Sequence, residues 1–228
     1  MKRILLTLTV TLLFALAFGQ RLSQITLTNS GSSDIISFII DDAVTVNMSR
    51  DGKVIDWGVE KTAGRFYNYP GRLEKYMGKI EYYGPTDNED SRGKVKYIGR
   101  TAFTYYSSYE NEVFKGKVKS INATPFDYYS SYDNEAFKGN IKNAGTVSFA
   151  YYSSFDNEAY RGKIKNIGNS AFTYYSSFDD KAFRGKVKSI GGHAFTYYSS
   201  YDRQEYRGAI KGFQSEYIID GIKYLLRN

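Results

Sequence analysis

Tyr160-Arg161-Gly162-Lys163-Ile164-Lys165-Asn166-Ile167-Gly168-Asn169-Ser170-Ala171-Phe172-Thr173-Tyr174-Tyr175-Ser176-Ser177-Phe178 is the stretch whose pattern fixes the architecture. It reads as two strands, Tyr160 to Ile167 and Ala171 to Phe178, parted by the turn-forming cluster Gly168-Asn169-Ser170. Pairing Ile167 with Ala171 sets Ile164 opposite Tyr174, Asn166 opposite Phe172 and Tyr160 opposite Phe178. Side chains alternate across a strand, so these residues share one face. Lys163 with Tyr175, Lys165 with Thr173 and Arg161 with Ser177 share the other. The two faces differ sharply, one apolar and one charged.

The pattern continues past Asp179-Asp180-Lys181-Ala182, where Phe178 is expected to face Phe183, Tyr174 to face Val187 and Tyr175 to face Lys186. A slip of one residue would turn every side chain to the wrong face. Tyr-Tyr-Ser-Ser begins at Tyr105, Tyr128, Tyr151, Tyr174 and Tyr197, with a degenerate copy at Tyr82-Tyr83-Gly84-Pro85 in the same phase. Such fixed spacing marks a modular array whose units bury their apolar sides only beside neighbours. The paired positions advance in step with the repeat, so no stagger accumulates, and barrel closure requires stagger. The expected fold is therefore all-β: an elongated, open antiparallel β-meander of tandem two-stranded repeats with irregular β caps. Each repeat should lengthen the sheet by roughly 10 Å.

The apolar face carries a lane of Phe103, Phe126, Phe149, Phe172 and Phe195, beside Tyr105, Tyr128, Tyr151, Tyr174 and Tyr197. Val118, Ile141, Ile164, Val187 and Ile210 line the neighbouring strands. Burying each large side chain contributes about 1.5–3 kcal/mol, which makes this lane the expected main source of stability. Left uncovered, the same face is a candidate surface for a homodimer or another partner.

Lys2 and Arg3, an apolar run from Ile4 to Phe18, and the small residues Ala17 and Gly19 read as a secretory signal peptide over residues 1–19. The run is short for a membrane span, which takes about 20 apolar residues. No transmembrane helix is expected after cleavage, and the expected location is secreted or periplasmic. Residues 20–79 read as an N-terminal β segment and cap, 80–212 as the repeats and 213–228 as a C-terminal capping hairpin. Within the first of these, Gln24–Asn29, Ile35–Ile40 and Ala43–Met48 look like strands. Arg50-Asp51-Gly52-Lys53 looks like a tight turn before Val54–Trp57, and Arg65 to Tyr76 like a connector. Ile218-Ile219-Asp220-Gly221-Ile222 reads as the closing hairpin.

The formal net charge of +7 falls by two once Lys2 and Arg3 are removed, and both signs are spread along the chain. That is a mixed, solvated surface rather than the clustered basic footprint of a nucleic-acid binder. With no cysteine there are no disulfides, and with one histidine the usual zinc and copper ligands are missing. No cofactor or metal is expected.

Phe183-Arg184-Gly185-Lys186-Val187 and Tyr160-Arg161-Gly162-Lys163-Ile164 resemble the opening of the MORN repeat: an aromatic, any residue, glycine, any residue, then a large apolar residue. The resemblance implies an elongated sheet of hairpins serving as a scaffold, sometimes in contact with lipid. The chain is also similar to Tyr-rich secreted repeat proteins of Bacteroidetes-type bacteria, which implies no activity. Its aromatic hairpins are similar to choline- and glucan-binding cell-wall repeats, although Trp57 is the sole tryptophan and lies outside the array.

Catalytic groups are lacking. His193 occupies a turn slot filled by Ser170 and Thr101 in other units, and a general base needs an oriented partner. The acidic turns Asp87-Asn88-Glu89, Glu110-Asn111-Glu112, Asp133-Asn134-Glu135 and Asp156-Asn157-Glu158 offer oxygen ligands for calcium, but Asp and Asn also make turns on their own account. The better candidate is the polar face. There Tyr106, Tyr129, Tyr152, Tyr175 and Tyr198 run beside Lys119, Lys142, Lys165, Lys188 and Lys211. Such a stripe suits glycans, anionic headgroups or protein partners. The expected function is a non-enzymatic scaffold or interaction surface; the alternative is a carbohydrate-binding module for cell-wall or extracellular polysaccharide.

Overall fold

Gly168 and Asn169 alone make the tight connection, so Ile167 pairs with Ser170 and Asn166 with Ala171. The expected register is thus corrected by one residue. Gly168 takes a left-handed backbone (φ 53°), which permits a two-residue loop between antiparallel strands. A second departure restores the pattern. Phe172 faces Ile190 and Thr173 faces Ser189, yet Tyr174 faces Val187, so one extra residue bulges out of the second strand. The bulge turns both Val187 and Ile190 inward, where strict alternation would have put them on opposite faces. Ile164 and Ile167, and Val118 and Ile121, are buried in pairs by the same device. Tyr174 remains opposite Val187 as expected, whereas Asn166 leaves the apolar face and Ile167 joins it.

The computed structural model describes residues 21–28, 34–40, 43–60, 72–212 and 216–227. The expected leader, and most of the expected connector after Arg65, lie outside them. Eleven strands form the array's sheet in sequential order: β6 (Ile80–Tyr82), β7 (Val95–Ile98), β8 (Thr101–Tyr105), β9 (Val118–Ile121), β10 (Thr124–Tyr128), β11 (Ile141–Ala144), β12 (Val147–Tyr151), β13 (Ile164–Ile167), β14 (Ser170–Tyr174), β15 (Val187–Ile190) and β16 (His193–Ala194). Every described pairing within it is antiparallel. The pairs Ala144–Val147, Ile167–Ser170 and Ile190–His193 are one pair moved by a whole repeat each time. Stacking without stagger leaves the sheet open.

The segments expected to cap the array's two ends instead meet in a second sheet. Its strands are β1 (Arg21–Thr28), β2 (Ile35–Ile39), β3 (Val44–Ser49), β4 (Val54–Glu60), β5 (Leu73–Glu74), β17 (Glu216–Ile219) and β18 (Ile222–Arg227). They run in the order β17-β18-β1-β2-β3-β4-β5, with β18 parallel to β1. This sheet lies on the array's apolar face. Phe38 meets Phe126 edge to face at 5.2 Å, Tyr224 meets Phe172 at 5.7 Å and Tyr217 meets Phe195 at 4.8 Å. The five phenylalanines of the lane are 1–3% exposed. A lane of that size must be removed from water, and the chain covers it with its own terminal strands. The homodimer expected through this face is corrected accordingly: the face is already occupied.

The two sheets are also joined by polar contacts. Along the array, Lys94, Lys117, Lys163 and Lys186 each donate Nζ to a glycine carbonyl one repeat on, those of Gly116, Gly139, Gly185 and Gly208. Asn140 breaks this column, and the carbonyl left open, that of Gly162, accepts Arg50 Nη1 at 2.8 Å from the second sheet. The turn carrying Arg50 also accepts the amides of Val118 and Ile141 on the carbonyls of Gly52 and Arg50. Tyr128 packs so closely on Gly52 that a Cβ there would lie 2.2 Å from its hydroxyl.

Asp34, 5% exposed, sits 3.8 Å from Arg50 in the same clamp. Burial pushes its carboxyl up to about 6, against the pull of Arg50. Between the unfolded value of 3.8 and about 6 the folded chain holds a proton that the unfolded chain releases. Its contribution is therefore fully present below pH 3.8 and lost as pH rises through 6. Urea unfolding at pH 4 and pH 7 should show wild type losing about 2–3 kcal/mol relative to Asp34→Asn over that interval. Equal pH dependence of the two proteins would refute the assignment. Taking the difference between proteins cancels the turn carboxylates, which titrate in the opposite sense.

Candidate functional site

The anticipated Tyr/Lys stripe exists, but its rings are committed within the array. Tyr106, Tyr129, Tyr152 and Tyr175 are half-buried and donate their hydroxyls, at 2.9–3.0 Å, to the carbonyls of Phe126, Phe149, Phe172 and Phe195 in the following repeat. Each ring also meets an aromatic from the turn segment that follows it: Tyr106 on Phe114, Tyr129 on Phe137, Tyr152 on Tyr160 and Tyr175 on Phe183. Tyr198 closes the row against Tyr206 at 5.5 Å. Burial raises the phenols of Tyr106, Tyr129, Tyr152 and Tyr175. The lysines sit over these rings, Lys119, Lys142, Lys165, Lys188 and Lys211 placing Nζ 5.2–5.6 Å from the centroids of Tyr106, Tyr129, Tyr152, Tyr175 and Tyr198. All five lysines are exposed. The stripe is thus a row of cation-covered struts with cations outward.

The turns between repeats are closed by their own polar side chains. Asp133, Asp156, Asp179 and Asp202 each accept the amide of Ser130, Ser153, Ser176 and Ser199 at 2.6 Å and the same serine's hydroxyl at 2.8 Å. These bonds to serine hold all four carboxyls below the usual carboxylate range. The next residue couples one repeat to another. Asn157 Oδ1 accepts the amides of Ala159 and Ser177 at 3.0 Å while its Nδ2 donates to Ser177 Oγ at 2.9 Å. Asn134 does the same one repeat earlier, and Asp180 takes over the accepting role one repeat later. Asx and Ser turn chemistry therefore accounts for the Ser-Ser…Asp-Asn signature.

At the tip of each such turn stands an aromatic that the strand pattern did not foresee. Tyr109, Tyr132, Phe155, Phe178 and Tyr201 are 92–99% exposed. Phe178 was expected on the buried face, opposite Tyr160 and Phe183. It is instead the outermost residue of the turn that Asp179 closes onto Ser176, with its amide donating to Ser176 Oγ at 3.3 Å. The strand ends at Tyr174, and Phe183 packs on Tyr175 at 4.7 Å. The signal was present in the sequence: an aromatic wedged between Ser-Ser and Asp-Asn belongs to a turn, where nothing covers it. One large exposed ring per repeat, five times in register, is the array's most unusual surface feature, since side chains of this size are ordinarily buried.

His193 lies exposed at the array's last strand, its ring against Phe195 and Tyr217 at 5.0 and 4.9 Å. Among the described residues no helix is long and apolar enough to cross a membrane.

Together these features define a repeat protein, an open β array with a repeated surface and a covered core face. A family model for the BspA type leucine rich repeat region matches residues 91–216 in six copies, and the chain belongs to that family. The match corrects the MORN resemblance. No curated protein and no solved structure matches the chain. Residues 91–216 contain no leucine; isoleucine, valine, phenylalanine and tyrosine hold the apolar positions. The substitution follows from the strands, because β-branched and aromatic side chains suit a pleated, half-buried surface.

Proposed function

We propose that this protein is a non-enzymatic, exported or envelope-associated repeat scaffold that holds a partner along the turn edge of its array. The observation that carries the reading is the row of Tyr109, Tyr132, Phe155, Phe178 and Tyr201, standing free of the core at one position in each of the five Tyr-Tyr-Ser-Ser repeats. Membership in a repeat family supports it, because arrays present extended surfaces of repeated side chains. The exposed Lys119, Lys142, Lys165, Lys188 and Lys211 border that edge. Lys119 pairs with Glu110, the residue after Tyr109.

Co-sedimentation with cell-envelope fragments tests the reading. Wild type should pellet with the envelope, and a variant with all five tip aromatics changed to serine should remain in the supernatant with its circular dichroism unchanged. Alanine at the five lysines should weaken retention less. Equal pelleting of wild type and the five-ring variant would rule the turn edge out as the interaction surface.

A further inference from the structure

The geometry points to a neutral, extended polysaccharide of equatorially linked pyranoses as the ligand of the tip aromatics, an inference that rests on the turn edge being the interaction surface. Its first support is the isolation of the rings. At 92–99% exposure they neither shelter one another nor merge into a continuous apolar patch. A protein interface has a contiguous, desolvated core. A single flat apolar ring set in a polar turn suits a ligand that is itself a small plate, with C–H groups on its faces and hydroxyls around its rim. A pyranose ring is such a plate.

The second support is the step. Each repeat advances the array by two strands, about 10 Å. That is about the length of a disaccharide in an extended, equatorially linked chain, so the step of the array matches the step of such a ligand. A flexible or helical glycan would lose register after one contact. Each contact is weak alone, and five in register are joined by the high effective concentration of a single ligand chain.

The third is charge. Each tip ring is followed by an acid: Glu110, Asp133, Asp156, Asp179 and Asp202. Aromatic rows also stack nucleic-acid bases, but those sites are built in cationic grooves that hold phosphates. Each of these acids is balanced by a lysine, Lys119 paired with Glu110, and Lys142, Lys165, Lys188 and Lys211 acting on Asp133, Asp156, Asp179 and Asp202, so the edge carries mixed charge rather than a cationic groove and suits a neutral polymer.

Affinity electrophoresis of the purified chain in native gels tests this directly. Mixed-linkage β-glucan and hydroxyethylcellulose serve as extended neutral probes, with dextran as a flexible neutral polymer and polygalacturonate as an anionic one. Retardation by the first two and not by the others is expected. Phe155→Ala should weaken binding about two- to tenfold, and alanine at all five tips should abolish it. Absence of retardation by both extended glucans would overturn the ligand class, as would equal retardation of the five-ring variant. If envelope sedimentation still depends on the rings while neither glucan retards the chain, the polysaccharide fails and the interaction edge stands. Ring-dependent sedimentation abolished by protease treatment of the envelope would identify a protein partner and equally overturn the inference. If sedimentation is independent of the rings, both readings fall.

Discussion

Phe149→Ala should lower the free energy of unfolding by about 3–5 kcal/mol, as truncating a fully buried phenylalanine does when its surroundings cannot collapse into the space. Phe149 is 1% exposed in the middle of the lane, between Phe126 and Phe172, whose rings meet Phe38 and Tyr224 of the second sheet. Its backbone is pinned as well. The carbonyl accepts Tyr129 Oη, and the strand pairs on both sides, Phe149 itself facing Ile167. The walls of the cavity are consequently held apart by hydrogen bonds that do not depend on the lost ring. Urea unfolding followed by circular dichroism gives the measurement, with Tyr132→Ala as the comparison. Tyr132 is 99% exposed, and its removal should stay within about 0.5 kcal/mol. A loss below about 1 kcal/mol at Phe149 would mean that the lane is not the seat of stability.

Gly185→Ala carries the second large effect. Gly185 has φ of 71°, and a Cβ there would lie 2.6 Å from the backbone carbonyl oxygen of Ala159 in the preceding repeat. A left-handed alanine costs about 1–2 kcal/mol, and relieving a backbone clash in a packed array adds roughly 1–3 kcal/mol. The expected loss is thus about 2–5 kcal/mol. Gly168→Asn is the control. Gly168 is also left-handed, but a Cβ there meets nothing within 4 Å, and the equivalent position two repeats earlier is Asn122 at φ 46°. That variant should fold with stability near wild type. Comparable losses at the two sites would show that backbone conformation, rather than contact between repeats, sets the requirement for glycine.

These two glycines also show how much of the architecture the residues announced. The period, the open meander and the burial of the Phe lane followed from spacing and alternation. Strict alternation could not foresee the bulge that turns Ile164 and Ile167 the same way, because the two-residue loop at Gly168 and the extra residue in the strand shift the register in compensating directions. The second sheet was legible only as strands. Its docking depends on Arg50 reaching Gly162 across more than a hundred residues, and the local trace of that contact is Asn140, which interrupts the lysine column between Lys117 and Lys163. The candidate site was read in part. Tyr152 and Lys165 do lie together, but the hydroxyl of Tyr152 is held by the Phe172 carbonyl. The tip rings escaped notice because Phe178 fits a strand pattern as well as it fits a turn, and only the Asp179–Ser176 bond decides between them.

The parallel seam between β1 and β18, running from Gln24–Lys223 to Thr28–Arg227, sets a timetable for folding. Hairpins of the array join residues close in sequence and can close while the chain is still being made. The seam joins residues almost two hundred positions apart, and contacts of that separation are the slow ones. Until the last strand is delivered, β1 has a bare edge and part of the aromatic lane is open to water. In a nascent or unfolded copy those are the places where another chain would attach first, so β17 and β18 act as the latch that closes the edge of β1 and covers that part of the lane.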